Sequence, residues 1–68
     1  MGTHMRAKRM YRRLSHEDAV AIVKAYHLDG RSQVDIANER DLDRTYVHLI
    51  VHGEARAAAF DEVFPGAR

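Results

Sequence analysis

Sixty-eight residues suffice for one domain with a small core and leave no room for a separate catalytic layer. The absence of cysteine excludes a disulfide framework and any thiolate metal site, and is compatible with a reducing cytosol. The net charge of +1 averages two unlike parts: residues 5–13 hold five Lys or Arg and no acid, whereas from Leu14 onward six Lys or Arg face ten Asp or Glu, a balance of −4.

Met1–His4, ahead of Met5, reads as a remnant of an expression vector, so the native chain is expected to start at Met5. The segment 5–13 is then a basic arm, with Arg6, Lys8, Arg9, Arg12 and Arg13, one aromatic and no apolar period. Such an arm suits the negative potential of a narrow minor groove or the phosphates beside it. The plainer reading is a solvated tail. Its position directly before the motif described below favours the first.

Leu14-Ser15-His16-Glu17-Asp18 is a helix start, with Ser15 as cap and two acids at the positive end of the helix dipole. Ala19, Ile22, Val23 and Tyr26 follow at helical spacing, so a first helix is predicted from about His16 to His27, with Gly30 able to take the left-handed position that ends it. Ser32 and Asp35 repeat the capping pattern for a second helix to about Arg40. Asp43 caps a third, which Gly53 ends.

Ile36 and Ala37 on the second helix, Leu42 in the turn, and Val47 and Ile50 on the third make one apolar seam. Left outside it are Arg44, Thr45, His48, Leu49 and His52, a surface rich in donors with few core obligations. This is the geometry of a helix-turn-helix, whose second helix lies in the DNA major groove.

The run GRSQVDIANERDLDRTYVHLIVHG resembles the homeodomain-like helix-turn-helix of resolvase and invertase DNA-binding ends and of small phage regulators. The resemblance covers about Leu14 to Gly53 and rests on the Gly, the Ser, the Gln, the Ile-Ala pair, the aliphatic in the turn, and the later Val and Ile. It departs at Asp41, where such turns usually carry Gly, and at Arg40, where an apolar residue is common. Asp tolerates the left-handed conformation better than most residues, and Arg can lay its stem on the seam. The resemblance implies an all-α fold: a three-helix homeodomain-like core over 14–53, a short C-terminal helix with its tail over 54–68, and the basic N-terminal arm. It also implies a phosphate contact from Gln33, with Ser32 and the N–H groups of that helix start beside it.

On the reading helix, Arg44 is placed for a guanine edge or a phosphate, and Thr45 for a thymine methyl or a phosphate. Tyr46 reaches the DNA backbone through its hydroxyl or packs at the rim. His48 and His52 continue the Arg44 face at steps of four, and Leu49 is expected as an exposed aliphatic beside them, against a thymine methyl or a protein. An i, i+4 histidine pair invites a metal reading, but the zinc-protease pattern needs Glu after the first His, Leu49 stands there, and no third ligand is evident, so no metal is expected. If either histidine faces phosphates, its protonation near pH 6 should tighten binding.

Glu54–Phe64 is alanine-rich, with Ala57, Phe60 and Phe64 on one stripe and Val63 beside it, and predicts a fourth helix that Pro65-Gly66 ends. Phe60, Val63 and Phe64 either fold back to enlarge a small core or form a homodimer contact. No apolar run nears the roughly 18 residues of a membrane span, and no signal-peptide core is present. A nucleophile–base pair, a phosphate-cradling loop and a cofactor fingerprint are all missing, so neither an enzyme, a cofactor nor a small-molecule effector is expected. The expected function is sequence-specific binding of double-stranded DNA by a small phage or mobile-element regulator acting by site occupancy, as a Cro-like repressor or an excisionase-type factor, in the cytoplasm of a bacterial cell. The alternative is a protein-interaction module that uses the acidic body and the apolar C-terminal helix.

Overall fold

Residues 14–67 are described by the computed structural model, and they form four helices: α1 (His16–His27), α2 (Gln33–Arg40), α3 (Arg44–Val51) and α4 (Ala57–Val63). There is no strand among the described residues. The five arm cations, Arg6, Lys8, Arg9, Arg12 and Arg13, lie outside them.

The first three helix starts follow from short polar side chains. Ser15 and Ser32 sit in extended backbone, and each hydroxyl oxygen accepts an N–H from three residues on, Asp18 and Asp35, at 3.0 Å in both cases. The Asp43 carboxylate accepts the Thr45 N–H at 2.7 Å. Each bond satisfies a donor that the first helical turn leaves without an internal partner, typically worth about 1 kcal/mol.

The helix ends are set by left-handed residues. Asp41 adopts φ 58 and ψ 47 after α2, and the Leu42 N–H returns to the Ala37 carbonyl at 2.9 Å. Asp therefore occupies the left-handed position that Gly more often holds, and the turn still delivers Leu42 into the core at 2 % exposure. After α3, Gly53 takes φ 77; its N–H reaches the Ile50 carbonyl at 3.1 Å and the Glu54 N–H reaches the Leu49 carbonyl at 2.9 Å. These are the two bonds of a Schellman motif, which satisfy carbonyls that a helix end would otherwise strand.

Every residue of the expected seam is buried: Ile36, Ala37, Leu42, Val47 and Ile50 are at most 4 % exposed. Ala19, Ile22 and Val23 close over them from α1. Ala37 lies where α2 meets α3, and its small side chain suits a close crossing. Val20, Val51 and Ala59 complete the core although none lies on an expected stripe. Arg40 is half-buried and its guanidinium reaches the Asp18 carboxylate on α1 at 3.3 Å.

The fourth helix is shorter than the predicted span from Glu54. It begins at Ala57, because the Glu54 and Ala55 N–H groups turn back to the Leu49 carbonyl and Arg56 is left-handed at φ 53, which no α-helix contains. Its buried residue is Ala59, with Phe60, Val63 and Phe64 half-buried against the core and Ala57 at intermediate exposure. α4 packs on α1 and α3. Among the described residues no helix is long and apolar enough to cross a membrane.

Candidate nucleic-acid interface

Three residues, Asp41 to Asp43, separate α2 from α3. With Val47, Ile50 and Val51 turned into the core, helical spacing sends Thr45 and His48 outward; Arg44 shares the side of Val47 and Val51 but is the first residue of α3, and all three are exposed. An open groove of about 440 Å³ runs beside the turn, lined by Val34, Ala37, Asn38, Leu42, Asp43, Arg44 and Thr45. Val34 is 45 % exposed at its edge.

The charges around this face are unequally committed. Arg31 is held by the Glu39 carboxylate, and the hydrogen bond between them is the main cause that raises the Arg31 pKa and lowers that of Glu39. Arg40 is held by Asp18. Asp43 spends one carboxylate oxygen on the α3 cap. Arg44 has no acidic partner among the described residues. Its guanidinium stands exposed at the start of α3 with its full donor set available.

The histidines are placed less uniformly than their spacing suggests. His48 lies on α3, whereas His52 is one residue beyond it, with φ −101 and ψ 5. Their rings still lie together, with centroids 4.4 Å apart, and Tyr26 from α1 meets His52 edge-on at 6.1 Å. His48 Nδ1 is 3.2 Å from Gln33 Oε1, so the first residue of α2 is tied to the middle of α3. Gln33 is half-buried.

The remaining expected contacts divide. Ser32 is exposed; its oxygen is occupied by the cap, leaving the hydroxyl proton to donate outward. Tyr46 is half-buried and packs against the core, which places it at the rim. Leu49 differs from the expectation of an exposed aliphatic: it is half-buried, because the chain doubles back at 53–55 onto its carbonyl.

His27 went unnoticed in the sequence. Its Nε2 lies 2.6 Å from the Val51 carbonyl, and its ring meets Tyr26, Phe60 and Phe64 edge-on at 4.8, 5.9 and 5.1 Å. It ties α1 to the end of α3 and to α4. As the last residue of α1 it looked like a helix terminus, and nothing local marks its partners.

No group of three or more metal-ligating side chains occurs among the described residues. The arrangement offers an exposed, donor-bearing surface beside an open groove. Comparison with protein-family models, with curated proteins and with solved structures finds no match to this chain.

Proposed function

We propose that this chain binds double-stranded DNA sequence-specifically, through a homeodomain-like helix-turn-helix in which α2 crosses the backbone and α3 enters the major groove. The observation that carries the reading is the exposed surface of α3: Arg44, exposed and without an acidic partner among the described residues, beside Thr45 and His48. Arg44 and His48 address base edges, with Thr45 at the groove wall. Ser32 and Gln33 approach a phosphate at the start of α2. The body from Leu14 onward is net acidic, so the arm supplies the main electrostatic attraction through Arg6, Lys8, Arg9, Arg12 and Arg13.

On this reading the chain is a regulator of the phage or mobile-element type, acting by occupying its site on DNA in a bacterial cytoplasm. Phe60, Val63 and Phe64 are half-buried against the core, and their outer surfaces would form any homodimer contact. Such a dimer would set two α3 helices about 34 Å apart, one groove turn.

The test is a gel-shift titration of the full chain against random duplex and against DNA from upstream of its gene, at two salt concentrations. Salt-sensitive binding that is tighter on the upstream DNA is the expected result. No binding even at low salt would replace this reading with a protein-interaction module, for which the half-exposed Val34 beside the groove is the favouring observation.

A further inference from the structure

The His48 ring is exposed on α3, yet only one of its nitrogens is engaged. Nδ1 lies 3.2 Å from the side-chain oxygen of Gln33, and no partner holds Nε2 among the described residues. An amide oxygen carries lone pairs and no proton, so with the Gln33 oxygen turned to the ring it is the tautomer protonated on Nδ1 that makes this bond. A histidine in water prefers its proton on Nε2. Gln33 therefore reverses the default, and it is well placed to do so: it is half-buried, directly behind the Ser32 cap.

We infer that Gln33 makes His48 a specificity-determining residue that presents a bare Nε2 lone pair and so reads an exocyclic amino group, adenine N6 or cytosine N4, in the major groove. This inference rests on the DNA-binding reading and adds to it a base class and a positioning residue. With the opposite tautomer, Nε2 would donate, and the preferred edge would be the N7 or O6 of guanine. The groups against the ring are Gln33 from α2 and His52 just beyond the end of α3. From α1, Tyr26 reaches it through the His52 ring, and no charged group of α1 or α4 is paired with it.

Two experiments on the full chain test this. Nitrogen-15 NMR of the unbound protein at about pH 8 should show His48 protonated on Nδ1, with Gln33→Leu moving the proton to Nε2 and Gln33→Glu, which keeps an acceptor oxygen, leaving it in place. Selection from random duplexes at the same pH should give one position at which adenine or cytosine is preferred about tenfold. The selected base then separates the two amino donors. That preference should vanish in His48→Ala and Gln33→Leu and survive in Gln33→Glu, while the rest of the selected motif persists. Parent and His48→Ala selecting the same motif would overturn the inference while leaving the DNA reading intact, as would a proton found on Nε2 in the parent. Failure to select any duplex would remove both, whatever the tautomer.

Discussion

Gly53 and Gly30 share a left-handed backbone, at φ 77 and φ 73, but differ in setting. Nothing lies within 4 Å of a Cβ built on Gly30, so Gly30→Ala should lose only the conformational strain of an L-residue there, about 1–2 kcal/mol. Gly53 is buried and forms the Schellman turn from which the chain returns over α3. Gly53→Ala should cost at least as much, read as a lower urea midpoint with an unchanged slope. Equal or higher stability for Gly53→Ala would show that the turn does not depend on glycine. At the same scale, the bond to Arg31 lowers the Glu39 pKa. The stabilisation it brings is present above the ordinary carboxylate range and is lost as pH falls through the lowered value of the folded state. NMR titration of Arg31→Met should show the Glu39 carboxyl titrating higher than in the parent.

At the scale of elements, α3 is started by a carboxylate that an anionic partner would prefer absent. Asp43 accepts the Thr45 N–H, and it also lines the groove beside Arg44. The two roles separate by substitution. Asp43→Asn keeps a good cap and removes the charge, so its melting temperature should stay near the parent's while duplex affinity rises. Asp43→Ala should lose about 1 kcal/mol of stability with the cap. Weaker duplex binding by Asp43→Asn would mean that its charge does not face phosphates. Arg44→Ala should weaken the selected duplex by about 1–3 kcal/mol if the guanidinium pairs with a guanine, and random duplex much less. Loss of equal size on both would make Arg44 a phosphate contact instead.

For the whole molecule, the core is small and each large side chain in it carries a large share of the stability. Ile50 is fully buried between the helices, and Ile50→Ala should cost roughly 2–5 kcal/mol. Small domains often hold only about 5 kcal/mol in total. Circular dichroism of this variant at 25 °C should therefore show a substantial unfolded population. Charge separation is the other whole-molecule property, since five of the eleven Lys and Arg gather in 5–13 and all ten acids lie elsewhere. Removing 5–13 should flatten the dependence of log K on log salt by up to about 4.5 units, because each neutralised phosphate contributes about 0.9. An unchanged slope would show that those five cations make no phosphate contact.

Much of the fold was legible because its causes are local. Ser15, Ser32 and Asp43 bond to N–H groups two or three residues away, so a short window contains both partners of each cap. Ile36, Ala37, Leu42, Val47 and Ile50 fall on facing sides by helical spacing alone, and all are buried. Thr45 and His48 emerge on the outward face by the same periodicity, and Arg44 is exposed at the first turn of α3. What tertiary structure alone decided are the partners brought together by how the helices cross. His27 meets the Val51 carbonyl across 24 positions, Gln33 meets His48 across 15, and Arg40 meets Asp18 across 22. The phase of α4 belongs here too: the left-handed Arg56 delays the helix and puts Ala59 in the core. Spacing along one helix assigns a face, but the crossing of two helices selects which atom on that face finds a partner, and that crossing is set by packing the whole core at once.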